Sequence, residues 1–165
     1  MSHMRLWRVL HKQGGACIIM EDDVEPVARF VQDFGEVAHL VGPSDDVDIV
    51  FLGHCFETRG APWKGSSRLS KSVLPRCTHA YLLTKRGLAK LAALAATVVL
   101  TEPIDEWLAK LCKSGRLKCL SSHPQLAKQP WQDESGAMLT PLPTAGPAVV
   151  PAGFEPTRAS TPNAS

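Results

Sequence analysis

One apolar run that ends in three consecutive carboxylates constrains this chain more than any other feature. The run Cys17-Ile18-Ile19-Met20 follows a glycine pair and leads directly into Glu21-Asp22-Asp23. A short apolar run bounded in this way is typical of a strand buried on both faces, so the carboxylates fall at the strand's C-terminal end. Ligands bind at that edge in open α/β sheets, and crowded acids repel one another unless a cation compensates them. The sequence therefore predicts a ligand or metal site at this turn.

Two interpretations of the acidic turn remain open from the residues alone. Mg²⁺ and Mn²⁺ take carboxylate oxygens and share them with substrate phosphates, which favours a phosphorylated or nucleotide-linked ligand. The competing interpretation is a solvated turn in which Asp22 or Asp23 caps the helix that follows.

The remainder of the chain alternates helices and strands, which predicts an α/β domain with a mostly parallel sheet. The segment from His54 to Arg76 lacks periodicity and is predicted to be a long surface loop. The predicted helices are Ser2–Gly14, Pro26–Phe34, Thr84–Ala96 and one that begins at Pro103; the predicted strands are Ala16–Met20, Asp48–Leu52, Thr78–Leu83 and Arg116–Leu120.

Composition excludes several classes of protein. The net charge is only +2, from 18 basic and 16 acidic residues, and this argues for neither nucleic acid nor a charged membrane surface as partner. The five cysteines form no C-x-x-C pair, so we expect buried thiols. Charged residues near the start interrupt any signal peptide, and no apolar run is long enough to span a membrane.

We expect one domain over residues 1–134 and a disordered Pro/Ala/Ser/Thr-rich tail over 135–165.

Five short motifs, in order, resemble glycosyltransferase family 25, which includes lipooligosaccharide and collagen galactosyltransferases. The resemblance covers about residues 2–132, with a weaker match at His123-Pro124-Gln125-Leu126 and Gln129. The motifs are Ser2-His3-Met4-Arg5-Leu6-Trp7, Ile18-Ile19-Met20-Glu21-Asp22-Asp23-Val24, Asp48-Ile49-Val50-Phe51-Leu52-Gly53, Thr78-His79-Ala80-Tyr81-Leu82-Leu83-Thr84 and Pro103-Ile104-Asp105-Glu106-Trp107-Leu108.

The resemblance implies a GT-A-like fold and the transfer of a sugar, expected to be galactose, from a UDP-sugar to a glycan or glycoprotein acceptor. Glu21, Asp22 and Asp23 are the implied cofactor-binding residues, and Asp22 and Asp23 would hold Mn²⁺ or Mg²⁺ against the donor diphosphate. Asp105 or Glu106 would be the catalytic base. The alternative for Asp105 is a structural role, in which its charge interacts favourably with the dipole of the helix that starts there.

Other residues in these motifs have less specific interpretations. A lone histidine in an apolar strand, such as His79, is more often a hydrogen-bonded core residue than a ligand. Trp63, in the predicted loop, can stack on a sugar or simply be exposed.

Two further hypotheses stay open. Members of the family begin with a nucleotide-binding strand that has no counterpart before Ser2. We therefore expect an N-terminally truncated chain, and a non-catalytic remnant that acts as a binding module is the alternative. The acidic turn also resembles the opening of a receiver signalling domain that binds Mg²⁺. However, a receiver needs a phosphoaccepting Asp at the end of its third strand. Val47–Leu52 resembles that strand, but Gly53 stands where the Asp should be.

Overall fold

A six-stranded sheet with helices on both faces forms the fold. The computed structural model describes residues 3–42, 46–57 and 59–132. The strands of this sheet are β1 (Cys17–Met20), β3 (Ile49–Cys55), β4 (Arg59–Pro62), β5 (Leu69–Ser72), β6 (Arg76–Leu83) and β7 (Cys119–Ser122), in the order β1-β6-β3-β7-β5-β4. A separate two-stranded sheet pairs β2 (Glu25–Pro26) with β8 (Ala127–Lys128). The helices are α1 (His3–Gln13), α2 (Phe30–Val41), α3 (Lys85–Thr97) and α4 (Ile104–Lys113).

The sheet is mixed, so the prediction of a mostly parallel sheet is wrong. Among the described strands, β3 and β7 form a parallel pair, whereas the pairs β1–β6, β3–β6, β4–β5 and β5–β7 are antiparallel. Parallel neighbours need a crossover connection, usually a helix. Between β3 and β6 the chain instead makes the β4–β5 hairpin, in the segment predicted to be a loop, and it returns antiparallel to β3.

Each face of the sheet buries its own apolar cluster. One cluster joins α1, α3 and α4 to the sheet and includes Trp7, Phe51 and Tyr81, all fully buried. The other packs α2 against the opposite face around Val37 and Leu52. Because both faces are covered, β3 is buried along its whole length, which explains the apolar run Ile49-Val50-Phe51-Leu52 at its start.

Several local signals predicted the element ends correctly. Gly14, at φ 76°, ends α1 with its amide bonded to the Leu10 carbonyl at 3.2 Å. The Thr84 side chain accepts a hydrogen bond from the Gly87 amide and caps α3. Helix α4 begins directly after Pro103.

The bounds predicted for α2 are wrong. The helix begins at Phe30 rather than Pro26, because Glu25 and Pro26 pair with β8. It then continues through Gly35 to Val41, beyond the predicted end at Phe34. Gly35 lies inside α2 and lacks the positive φ that Gly14 and Gly42 have at the ends of helices, so this glycine does not end the helix.

The cysteine prediction is also wrong for four of the five residues. Disulfides join Cys55 to Cys77 and Cys112 to Cys119, and Cys17 is a free thiol. The partners are far apart in sequence or lie on different elements, so spacing gave no signal. The first pair meets because Cys55 ends β3 and registers with Arg76, next to Cys77 in β6.

The predicted tail, residues 135–165, lies outside the described residues, and so does the predicted domain boundary at residue 134. Among the described helices, none combines the length and apolar character that crossing a membrane requires.

Candidate functional site

The acidic turn lies at one edge of the sheet, where β1 and β3 end and β6 begins. Both β1 and β3 run antiparallel to β6, with Met20 opposite Ala80 and Cys55 opposite Arg76. We call this the acidic edge. It collects the C-terminal ends of β1 and β3, which both pair antiparallel with β6. The acidic turn follows the C-terminal end of β1, as the sequence predicted.

The three carboxylates of the turn have different surroundings. Glu21 is half-buried, and its Oε1 accepts a hydrogen bond from the Thr78 hydroxyl at 2.8 Å. The Oδ2 of Asp23 accepts one from the Gln129 side-chain amide at 2.8 Å. Asp22 is exposed. The turn therefore contains one anchored carboxylate and two at the surface.

A chain of hydrogen bonds from the core ends on Glu21. The buried Trp7 indole donates to the Tyr81 hydroxyl at 3.0 Å, and that hydroxyl lies 2.7 Å from Nδ1 of His3. The Nε2 of His3 lies 3.3 Å from Glu21 Oε1. With a neutral His3 the donors run in one direction, from Trp7 through Tyr81 and His3 to Glu21, and every hydrogen has an acceptor. Glu21 is thus positioned by the core.

The same contacts set the ionisation of these groups. The hydrogen bond from His3 lowers the pKa of Glu21; burial opposes it, and the bond from Thr78 assists. Burial raises the pKa of the Tyr81 hydroxyl far above its usual range, so the phenol stays protonated. Glu21 is consequently ionised at neutral pH, and its hydrogen bonds hold its carboxylate in one orientation.

The carboxylates predicted as catalytic reach the same stretch of β6. Asp105 Oδ2 accepts from the Cys77 amide at 3.4 Å, and its Oδ1 accepts from the Glu106 amide at 2.9 Å. Glu106 pairs with Arg76 at 3.2 Å. Thus Glu106, Asp105 and Glu21 contact the consecutive β6 residues 76, 77 and 78, and the structure brings both predicted acidic groups to one edge.

The acidic edge contains two sets of possible metal ligands: the carboxylate oxygens of Asp22 and Asp23, and a group of sulfur and nitrogen atoms. Asp22 and Asp23 offer hard carboxylate oxygens of the kind that Mg²⁺ and Mn²⁺ take together with phosphate and water. A group of three candidate ligands from histidine, cysteine or acidic residues occurs once in the described part of the chain, at Cys55, Cys77 and His79. Asp22 and Asp23 would therefore form a two-residue site completed by ligand oxygens.

Sequence reasoning missed several residues of this edge. His3, Thr78 and Gln129 fell within the motifs but carried no assigned role, because only their contacts reveal it. The disulfide between Cys55 and Cys77 left no spacing signal. His79 is a fully buried residue whose Nε2 lies 3.3 Å from the Ala127 carbonyl, whereas its Nδ1 has no hydrogen-bond partner among the described residues.

Trp63 lies away from the acidic edge. It lines a cleft of about 450 Å³ together with lysines that include Lys71 and Lys113. Its indole nitrogen is buried without a hydrogen-bond partner among the described residues. The cleft has the size of a small-molecule site, but none of the predicted catalytic or metal-binding residues line it.

Comparison of the sequence with protein-family models and with curated proteins gives no match.

Proposed function

We propose that this chain is a glycosyltransferase of the GT-A type, which moves a sugar, galactose in the first instance, from a UDP-sugar to a hydroxyl of a glycan or glycoprotein. The observation that carries the proposal is the convergence of the acidic turn and the start of α4 on residues 76–78 of β6. Group transfer needs a charge-compensating site and a base near one reacting centre.

The acidic turn would bind the donor. Asp22 and Asp23 would hold Mn²⁺ or Mg²⁺, which neutralises charge on the departing diphosphate. Glu21 serves a different purpose, because its oxygen already accepts bonds from Thr78 and His3. It fixes the start of the turn relative to β6 and so orients the two exposed carboxylates.

Asp105 or Glu106 would take the acceptor's proton. In an inverting transfer the acceptor oxygen bonds to the anomeric carbon while the bond from that carbon to the diphosphate oxygen breaks, and the hydroxyl proton passes to the carboxylate. Asp105 is oriented by two backbone amides, which holds its carboxylate in one direction. Glu106 is held by Arg76.

A specific observation favours a non-catalytic binding module as the second candidate. The contacts of Asp105 and Glu106 already tie the start of α4 to β6, so a structural role accounts for both carboxylates. Such a module would bind the donor through the acidic turn and release it unchanged.

Calorimetric titration of UDP-galactose into the purified chain, with and without Mn²⁺, tests donor binding. We expect Mn²⁺-dependent binding that Asp23→Asn weakens and makes metal-independent, while Asp105→Asn, the matched control, still binds the donor. Measurement of donor hydrolysis then separates the two candidates. An enzyme should hydrolyse UDP-galactose and lose that activity in Asp105→Asn or Glu106→Gln, whereas a binding module should not hydrolyse it at all. Unchanged Mn²⁺-dependent binding by Asp23→Asn would refute the metal assignment, and no binding by the wild-type chain would refute both candidates.

A further inference from the structure

A second set of candidate ligands lies at the acidic edge, and none of them has a role in the proposed transfer. The sulfurs of Cys55 and Cys77 and one ring nitrogen of His79 all lie within 4.8 Å of one another. The cysteines are joined in a disulfide, with their Cα atoms 5.5 Å apart. Thiolate and imidazole are the ligands that Zn²⁺ prefers in proteins.

The histidine is held in the tautomer that a metal requires. Its Nε2 lies 3.3 Å from the Ala127 carbonyl, an acceptor only, so Nε2 carries the hydrogen. The lone pair then remains on Nδ1, which is buried and has no hydrogen-bond partner among the described residues. Metal-ligating histidines almost always donate their other ring hydrogen to a carbonyl or carboxylate in this way.

The surroundings fix this ring in place. A Cβ added at Gly53 would lie 2.1 Å from His79 Nε2 and 2.5 Å from the Ala127 carbonyl oxygen, so only glycine lets the ring reach that carbonyl. The fully buried imidazole therefore has a ring nitrogen without a partner among the described residues, and one of its ring nitrogens lies within 4.8 Å of the two sulfurs. Most buried polar side-chain atoms in proteins do have a partner.

We propose that the reduced chain binds Zn²⁺ through the thiolates of Cys55 and Cys77 and the Nδ1 of His79, so that the disulfide and the metal site are alternative states of one cluster. A dithiol reductant converts the disulfide to two thiols and is itself oxidised to a disulfide. Zn²⁺ then replaces the two thiol protons, which are released to solvent. Three protein ligands leave the fourth tetrahedral position for water.

The geometry requires only local movement. Thiolates about 2.3 Å from a tetrahedral zinc lie about 3.8 Å from each other. After reduction the two sulfurs must separate to that distance, which rotation about their own side-chain bonds supplies. The backbone spacing of 5.5 Å can stay as it is. This site is independent of the proposed transfer, which would use the hard oxygens of Asp22 and Asp23.

Titration with Co²⁺ as a spectroscopic substitute for Zn²⁺ tests the proposal on the full chain. The fully reduced chain should bind one Co²⁺ per chain, with thiolate-to-cobalt charge-transfer absorption and the strong visible bands of tetrahedral cobalt. Zn²⁺ should abolish both signals by displacement. The oxidised chain should give neither signal. Zn²⁺ should also raise the melting temperature of the reduced chain and not that of the oxidised chain.

Variants in a Cys17→Ser background assign the ligands. The double variant Cys55→Ser/Cys77→Ser should lose the charge-transfer band, whereas Cys112→Ser/Cys119→Ser, the matched control, should keep it. His79→Gln should retain thiolate absorption but lose the tetrahedral bands. Circular dichroism confirms that each variant is folded. A thiolate-to-cobalt charge-transfer band that persists without Cys55 and Cys77 would overturn the proposal. So would a reduced wild-type chain that shows no such band, or one that unfolds even with Zn²⁺ present.

Discussion

The two ends of the central sheet carry carboxylates in opposite circumstances. At the start of β3, Asp48 is fully buried and accepts hydrogen bonds from Arg86 at 2.7 Å, Lys90 at 2.7 Å and the Lys118 amide at 2.8 Å. We call this end the Asp48 edge. At the acidic edge, Asp22 is exposed, and neither Asp22 nor Asp23 has a basic side chain within salt-bridge distance among the described residues.

The difference separates a structural carboxylate from ligand-binding ones. Asp48 ties β3 to α3 and to the residue before β7, and its charge is compensated within the chain. Asp22 and Asp23 have carboxylate oxygens that are not paired with a basic side chain among the described residues and can therefore bind a cation. Each edge also has one disulfide and one tightly packed glycine, so matched variants can compare their contributions to stability and to binding.

The largest expected effect is the loss of Asp48. Asp48→Ala removes a buried anion and leaves two cations and the Lys118 amide without it, which should lower the free energy of unfolding by about 4 kcal/mol. Urea unfolding at neutral pH measures the loss. Asp23→Ala, which loses only the bond from Gln129, is the control, and an equal loss in both variants would remove the distinction between the edges.

The pH dependence of this effect has a definite sign. Burial opposes the ionisation of Asp48, but the bonds from Arg86, the Lys118 amide and Lys90 outweigh it and lower the pKa below 3.8. A lowered pKa means that the stabilisation is present above pH 3.8 and is lost as pH falls through the folded-state pKa. The difference between wild type and Asp48→Ala should therefore shrink only in strong acid.

The two disulfides give the next largest effects. Cys55–Cys77, at the acidic edge, closes a separation of 22 residues, for which chain entropy gives about 3.4 kcal/mol. Cys112–Cys119, at the Asp48 edge, closes only 7 residues, for about 2.4 kcal/mol. Chemical denaturation of the two Cys→Ser double variants should reproduce that order. The reverse order would mean that contacts, rather than loop closure, dominate.

Replacement of the glycine at each edge by alanine should lower the free energy of unfolding by about 2 kcal/mol, because neither site has room for the added methyl group. A Cβ at Gly87 would lie 1.9 Å from the Asp48 carbonyl oxygen, and one at Gly53 would lie 2.1 Å from His79 Nε2. Thermal melts of Gly87→Ala and Gly53→Ala test this. The control, Gly35→Ala, has open space in α2 and should gain about 0.5 to 1 kcal/mol.

The sequence predicted the parts of this fold that depend on local chemistry. Thr84 is a cap and Pro103 begins a helix because neighbours along the chain decide those roles. The apolar runs within β3 and β6 predicted strands because both faces of the sheet are covered there. β1 is a strand too, but the expectation that it is buried on both faces is wrong, because it is an edge strand with Ile18 and Met20 exposed. At the candidate site, the position of the acidic turn after β1 followed from the apolar run of that strand.

What the sequence did not predict depends on pairing between distant segments. The direction of β6 depends on the β4–β5 hairpin, whose residues show no alternation that distinguishes them from a loop. Glu25 and Pro26 leave the predicted helix because they pair with β8, about a hundred residues later. The bonds from His3 and Thr78 to Glu21, and the disulfide beside His79, have the same origin.

Glu21 should have an effect smaller than those of the glycines. Glu21→Gln keeps the size of the side chain but removes the charge that accepts from His3 and Thr78, at a cost of about 1 kcal/mol or less for a half-buried group. Because the pKa of Glu21 is lowered from 4.5, this cost should be present above pH 4.5 and vanish as pH falls further. Unfolding measured against pH tests the sign, and a cost that keeps growing below pH 4.5 would contradict the assigned contacts.

The smallest effect on stability should come from Asp22. This residue tests most directly whether the carboxylates of the acidic edge bind a ligand or, like Asp48, stabilise the fold. Asp22 is exposed, so Asp22→Asn should change the free energy of unfolding by no more than about 0.5 kcal/mol. Helix α2 begins at Phe30 with Arg29 at its N-cap, so the alternative in which Asp22 or Asp23 caps that helix is wrong. If Asp22 instead stabilises the turn itself through a hydrogen bond, Asp22→Ala should lower the free energy of unfolding by about 0.5 to 1.5 kcal/mol, and Asp22→Asn, which keeps an acceptor oxygen, should change it little. If Asp22 holds a metal, both variants should keep their stability and lose the Mn²⁺-dependent part of UDP-galactose binding. Thermal melts and calorimetric titrations of the same two variants therefore give different patterns for the two roles. Loss of stability in Asp22→Ala with unchanged Mn²⁺ dependence would assign this carboxylate to the fold, as Asp48 already is.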